Sequence, residues 1–337
     1  MLGASTQPLI QAHDLAMFDL DGVVYVGERT VPGAPEHLAR ARGAGVKVAF
    51  VTNNASRTPQ AVAEKLTGLG VEASPHDVVT SAQAAARVLR ERYGEGAAVA
   101  VLGAAGLAAA VAEAGLVGVE VDDPEARALV TGYGPEVPWR LIMRAAVGLR
   151  EGLPWIASNA DLTVPTPEGI APGHGVLVRM LSEFAGVVPE VAGKPARPLL
   201  DETVRRVGGE RPLMIGDRLD TDILGAHRAG IDSLLVFTGV TGLAELVAAE
   251  PDERPTYVAV DLAGLFDAHA APQRLEAGWA LGGWLAVDAA GAMQVSGEGS
   301  PGDWWRVVAA AGWEHLDLTG HPLDTAGLVP PSAGPAR

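Results

Sequence analysis

Short apolar runs followed by helical patterns recur down this chain, and that alternation restricts its fold more than any other feature. Apolar runs occupy residues 15–18, 46–51, 97–102, 128–132, 154–158, 212–215, 234–237 and 257–260, with helical patterns between most of them. Strands separated by a helix cannot close a hairpin, so they pair in parallel, and parallel sheets are buried on both faces by their crossover helices. The predicted class is therefore α/β. In open parallel sheets ligands bind beyond the carboxyl ends of the strands, so the residues at which each apolar run stops carry the functional argument.

The first run stops in Met17-Phe-Asp-Leu-Asp-Gly-Val-Val-Tyr25. Residues two apart on a strand point the same way, which puts Asp19 and Asp21 on one side and Leu20 on the other. Two adjacent carboxylates are costly to bury without a cation. Mg²⁺ prefers such hard oxygen donors and takes only one or two protein carboxylates besides water and phosphate oxygens. Gly22 lets the chain turn away. An EF-hand loop is excluded, because Val23 stands at the fifth position and Gly22 comes at the fourth.

The run at 46–51 stops at Thr52-Asn53-Asn54. A threonine hydroxyl and the following N–H groups can hold phosphate oxygens, while Ser56, Thr58 and Pro59 suffice to start the next helix. Val191-Ala-Gly-Lys194-Pro195 reads as a short strand ending in a lysine that opens a helix. The run at 212–215 stops at Gly216-Asp217, and Asp222 falls in the first turn of a helix over 222–229, placed to bond backbone or Lys194. Asp220 is expected to be solvated. Asn159-Ala-Asp161 and Gly173-His174-Gly175 could line a site, but turn and cap duties explain them equally well, and His174 is read as structural.

Charge narrows the partners. With 41 acidic against 25 basic residues the net charge is −16, which argues against nucleic acid and anionic membrane. Cysteine is absent, so neither disulfides nor thiol chemistry enter. The longest uncharged, mostly apolar run, 97–112, is short of a membrane span and broken by Gly103 and Gly106. No signal-peptide pattern opens the chain, and a cytoplasmic protein is expected. A faint dinucleotide fingerprint in the same run, with Asp122 as its acidic partner, lacks the first Gly-x-Gly. Five of the seven tryptophans fall after residue 270, around a hairpin (284–287 with 292–296) and a short helix capped by Asp303. They are read as core or interface.

The ordered set Asp19 and Asp21, Thr52, Lys194, then Asp217 with Asp222 resembles the four motifs of the haloacid dehalogenase superfamily of phosphohydrolases, over residues 14 to about 268. Val51-Thr-Asn-Asn54, a large insertion before Lys194, Asn159-Ala-Asp161 and Pro172-Gly-His-Gly175 resemble the subgroup with a C2-type cap, the p-nitrophenylphosphatase and NagD-like phosphatases. Gly216-Asp-Arg-Leu-Asp-Thr-Asp222 and the extra C-terminal segment resemble the actinobacterial glycerol 3-phosphate phosphatases.

The resemblance implies a Rossmann-like doubly wound parallel sheet core of haloacid dehalogenase type, residues 1–80 and 189–270. It implies an inserted α/β cap at 81–188 and a small C-terminal α+β module at 271–330, with a disordered tail at 331–337. All four motifs precede Leu262, so the module is expected to be dispensable for forming the site. Asp19 is implied as nucleophile and Asp21 as general acid and base. Mg²⁺ would be held by Asp19, the Asp21 carbonyl and Asp217, with Asp222 in support. Thr52, Asn53, Asn54 and Lys194 would bind the phosphoryl group. The implied reaction is hydrolysis of a small phosphorylated metabolite, glycerol 3-phosphate first, with nucleotide monophosphates, 2-phosphoglycolate and pyridoxal phosphate as alternatives. A second copy of the chain is the expected partner. Two other classes fit some of the residues. One is a phospho-aspartate signalling domain, which has no cap and carries its acceptor on a middle strand, where this chain has Thr52. The other is a phosphate-ester-binding protein without catalysis, although every expected catalytic side chain is present.

Overall fold

The computed structural model describes residues 2–166 and 169–331, so the expected tail lies, apart from Pro331, outside the described residues. The chain forms two compact units, one of residues 1–48 with 209–337 and one of residues 49–208.

In the first unit, Leu15–Phe18 pairs in parallel with Pro212–Gly216, which pairs with Asp232–Val236, which pairs with Tyr257–Ala259. Leu15–Phe18 is buried throughout, as is Leu234 to Val236, which is why these runs are continuously apolar instead of alternating. Register sets the chemistry. Phe18 stands opposite Ile215, and the Asp19 N–H donates to the Ile215 carbonyl at 2.9 Å, so Asp19 and Asp217 leave neighbouring strands at one level. The segment after Asp217 departs from expectation: a π-turn over Leu219–Ile223 precedes the helix Leu224–Ala229, and Asp222 lies in that turn.

The C-terminal segment is larger than the sequence suggests. Strands Gln273–Leu275, Gly278–Leu281, Trp284–Ala289 and Ala292–Gly297 make a four-stranded antiparallel sheet. The helix after it, Pro301–Thr319, has 19 residues and is capped by Ser300, not Asp303, the Asp303 N–H donating to Ser300 Oγ at 3.1 Å. Nor does this segment have a core to itself. Trp304, Trp305, Val308 and Trp313 share one apolar cluster with Leu219, Ile223, Leu235, Leu246 and Val258. Trp305 stacks on Phe237 with ring centroids 3.7 Å apart, and Trp313 donates its indole N–H to the Leu246 carbonyl at 2.7 Å. Removing the segment would uncover Leu219 and Ile223, in the turn that carries Asp222, so truncation is expected to destabilise that turn.

In the second unit, the strand Lys47–Thr52, which crosses the division, pairs in parallel with Val78–Thr80, Thr52 opposite Thr80. Thr80 and Gln83 form a reciprocal capping box that starts the helix Ser81–Tyr93. A five-stranded parallel sheet runs in the order Glu190–Val191, Trp155–Ala157, Leu129–Thr131, Ala98–Leu102, Val117–Val119. Helices Ala105–Glu113, Trp139–Arg150 and His174–Ala185 accompany it, and Thr163–Thr166 pairs with Gly169–Pro172 as a hairpin. One expectation holds here and one changes. Gly173 takes the cap duty, standing as N-cap of the helix that starts at His174, and the glycines are needed because a Cβ on Gly173 would lie 2.3 Å from the Asp161 carbonyl oxygen and one on Gly175 2.1 Å from that of Ala160. The strand before Lys194 is two residues long, pairs with Trp155–Ala157, and ends three residues short of the lysine. No helix among the described residues is long and apolar enough to cross a membrane.

Candidate active site

The first unit brings three carboxylates together. One oxygen each from Asp19, Asp217 and Asp222 lies within 4.8 Å of the others. Asp217 and Asp222 are fully buried, Asp19 is half-buried, and Asp21 is exposed beyond the buried Leu20; the strand ends at Phe18, so its alternation does not extend to the two aspartates. Like charges at about 5 Å repel by roughly 3 kcal/mol per pair at an effective dielectric of 20, so the cluster calls for a cation.

Each buried carboxylate is fixed by backbone. Asp222 Oδ2 accepts the N–H groups of Asp217 and Arg218 at 3.2 and 3.1 Å, closing the π-turn onto the strand end. That use of Asp222, the backbone bonding expected of it, makes it the brace of the loop. Asp217 Oδ2 accepts the Val240 N–H at 2.7 Å, and its carbonyl accepts the Thr241 N–H. Two glycines are obligatory against it. A Cβ on Gly22, whose φ is +86°, would stand 2.4 Å from Asp217 Oδ2, and one on Gly239 would stand 2.0 Å away. Thr238 Oγ1 then donates to the Gly22 carbonyl at 2.6 Å. The segment Thr238–Thr241 was not singled out in the sequence, although Thr-Gly-Val-Thr directly after an apolar run is the same strand-end signal that marked Thr52. Asp220, as expected, is exposed, and it pairs with Arg218.

An all-oxygen set of two or three carboxylates, rigidly held and partly open through Asp19, suits a hard divalent ion that keeps water or substrate oxygens in its remaining positions. With Asp222 Oδ2 taken up by two N–H groups, Asp19 and Asp217 are the carboxylates best placed to ligate.

The second unit assembles Thr52, Asn53, Asn54 and Lys194. Thr52 and Lys194 are buried, Lys194 to within 2% of its surface, and Lys194 Nζ lies 3.4 Å from the Val51 carbonyl. Thr52 Oγ1 accepts the Asn54 N–H at 3.1 Å. Asn54 Oδ1 accepts the N–H and Oγ–H of Ser56 at 2.8 and 2.9 Å, so its side chain shapes the turn into the next helix. Asn53 holds Lys194 by both main-chain groups: its Oδ1 accepts the Lys194 N–H at 2.8 Å and its Nδ2 donates to the Lys194 carbonyl at 2.9 Å. Nδ2 also donates to Asp161 Oδ1 at 3.0 Å. The Asn53 carbonyl accepts Ser81 Oγ–H at 2.6 Å and Asn159 Nδ2 at 2.8 Å. Asn159 and Asp161 thus serve Asn53. His174 stays apart, its Nε2 3.1 Å from Thr131 Oγ1, and burial lowers its pKa to about 4, which keeps the ring neutral.

A family model for haloacid dehalogenase-like hydrolases matches residues 16–117, and one described as HAD-hydrolase-like matches residues 191–265. The D-glycerol 3-phosphate phosphatase of Mycobacterium tuberculosis is 40% identical over 326 residues, 94% of this chain and 90% of that protein. This chain belongs to the haloacid dehalogenase-like hydrolases. The crystal structure of the M. tuberculosis glycerol phosphate phosphatase in complex with magnesium superposes with a TM-score of 0.85 at 39% identity, covering 94% of both chains. A 4-nitrophenylphosphatase from Thermotoga maritima superposes with a TM-score of 0.70 at 30% identity, covering 76% of this chain and 97% of that one. Its haloacid dehalogenase fold is therefore of the NagD and p-nitrophenylphosphatase-like kind, as the motif order implied.

Proposed function

We propose that this chain is a Mg²⁺-dependent phosphoric monoester hydrolase that converts glycerol 3-phosphate to glycerol and phosphate through an aspartyl-phosphate. The observation that carries the reading is the meeting of the Asp19, Asp217 and Asp222 carboxylates within 4.8 Å beyond two neighbouring parallel strands. The named activity of the M. tuberculosis relative supports the substrate.

An Asp19 oxygen attacks phosphorus while the ester oxygen leaves, taking a proton from Asp21 and departing as the alcohol. Water then gives a proton back to Asp21 and attacks the aspartyl-phosphate, releasing phosphate and restoring Asp19. The covalent route divides one hard displacement into two easier ones. Asp21 suits proton exchange because it is exposed and lies outside the carboxylate cluster. Thr52, Lys194 and the N–H groups near residues 53 and 54 stabilise the charge on the transferring phosphoryl group. Mg²⁺, held by Asp19, Asp217 and the Asp21 carbonyl, supplies charge neutralisation and orientation. Residues 81–188 act as the C2-type cap that selects the leaving group, 1–80 and 189–270 as the core, and 271–330 as a C-terminal addition. The protein works in the cytoplasm as a homodimer; sedimentation of the pure protein tests the dimer.

The substrate is tested by comparing kcat/KM for glycerol 3-phosphate, a nucleotide monophosphate, 2-phosphoglycolate and pyridoxal phosphate with Mg²⁺. Glycerol 3-phosphate is expected to lead, and another ester turned over tenfold better would reassign the substrate while leaving the reaction class intact. Chelator is expected to abolish the activity and Mg²⁺ to restore it. Ca²⁺ should oppose Mg²⁺, because it takes more ligands at longer distance and would draw both Asp19 oxygens from the line of attack.

A further inference from the structure

We propose that Asn53 is a positioning residue whose side-chain amide fastens the main chain of Lys194 to Asp161, so that its part in phosphoryl transfer is exerted through Lys194. This rests on the hydrolase reading, in which the Lys194 ammonium faces the phosphoryl group.

Three hydrogen bonds define the Asn53 amide, and they fix its orientation. A backbone N–H can only donate and a carbonyl can only accept, so the contacts to Lys194 N (2.8 Å) and Lys194 O (2.9 Å) force Oδ1 toward the first and Nδ2 toward the second. The amide imitates the pairing of one residue in a β-ladder, at a point where no strand continues to hold Lys194. The second Nδ2 proton goes to Asp161 Oδ1 at 3.0 Å. Both lone hydrogen-bonding directions of Nδ2 are thereby used within the second unit. The backbone of Asn53 is pinned as well, by Ser81 Oγ and Asn159 Nδ2 on its carbonyl.

Gly193 fits the same reading. A Cβ there would lie 2.6 Å from Asn53 Oδ1 and 2.7 Å from the Ser158 carbonyl oxygen, so no side chain can stand between the bracket and the lysine. Lys194 needs such help. It lies three residues beyond a two-residue strand, and a buried flexible side chain delivers its charge to a defined point only if its backbone is fixed.

The geometry predicts an unusual substitution pattern. Asn53→Asp keeps the shape and the acceptor for the Lys194 N–H, but turns the other oxygen against the Lys194 carbonyl and the Asp161 carboxylate. It should therefore be as harmful as Asn53→Ala, each lowering kcat about 100-fold, the scale of a misplacement near 1 Å, while KM moves less than about threefold. Adding Asp161→Asn to Asn53→Asp supplies an N–H₂ donor opposite the new carboxylate, and the double variant should recover at least about tenfold in kcat.

The experiment measures kcat and KM for p-nitrophenyl phosphate and glycerol 3-phosphate with Mg²⁺ for wild type, Asn53→Ala, Asn53→Asp and Asn53→Asp with Asp161→Asn. Hydrogen exchange of the peptide containing Lys194 is followed in parallel, and protection of the Lys194 amide should fall in Asn53→Ala, which removes its acceptor. Equal losses in kcat with recovery in the double variant support the bracket. Three results overturn it: wild-type kcat in Asn53→Asp, a rise in KM alone, or no recovery in a double variant that melts like the single one. Wild type inactive on both esters would sink the hydrolase reading instead, and the exchange data would still decide whether Asn53 holds Lys194.

Discussion

The carboxylate cluster and the Lys194 cluster reach comparable order by different means. Asp19 and Asp217 follow directly on strands whose register is set by buried apolar residues, so the sheet itself delivers them to one level. Thr52 is delivered likewise, by its strand. Lys194 is not, because its strand ends at Val191, and side-chain amides and glycines take over the positioning. A site element carried by a sheet inherits the stability of the core, whereas one carried by hydrogen bonds is held by contributions of about 1 kcal/mol each.

The comparison breaks most sharply at Asp19. Asp19→Asn replaces the nucleophile and a cation ligand by an amide, and at least a thousandfold loss of kcat is expected, with the melting temperature of wild type or above, since one charge leaves a repelling cluster. Labelled substrate should leave phosphate on Asp19 of wild type, and label on any other residue would refute the mechanism. Thr52→Ala, on the Lys194 side, removes one hydroxyl and should cost only about ten- to a hundredfold.

A smaller effect sharpens the claim that the sheet side depends on its core. Trp305→Ala deletes the ring stacked on Phe237 and should destabilise the first unit by about 3–5 kcal/mol, read as a lower urea midpoint. Truncation after residue 271 uncovers the same cluster, and a truncated chain as stable as the full one would contradict the shared core.

Acid distinguishes the two units least. Each holds one buried neutral histidine with a pKa lowered to about 4, His174 by burial and His269 by burial and then by the Arg306 guanidinium, 2.9 Å from its Nδ1. The unfolded chain binds these protons near pH 6.5 and the folded chain only near 4. Their stabilisation is therefore full above about pH 6.5, falls as pH drops toward 4 and levels off below. By pH 5 each histidine should have lost about 2 kcal/mol. Urea unfolding at pH 7.5, 6.5 and 5 measures the slope, and a flat profile would mean that neither ring is held neutral.

Local sequence decided the elements that repeat a simple pattern. The apolar runs became parallel strands within a residue or two, because burial on both faces admits little but continuous apolar sequence. It also marked Asp19 and Asp217, each of which follows directly on a buried apolar run at a strand end, where polar groups emerge. Tertiary structure decided the rest. Asp222 became the brace of a π-turn, Thr238–Thr241 joined Asp217, and the C-terminal helix shared its core with the parallel strands. Asn53, Asp161 and Lys194, distant in sequence, met through a single amide. Periodicity reports which side of an element is buried, and a strand end reports where polar groups emerge. Neither carries information on which distant hydrogen-bonding group will stand opposite, for that depends on how the chain closes on itself.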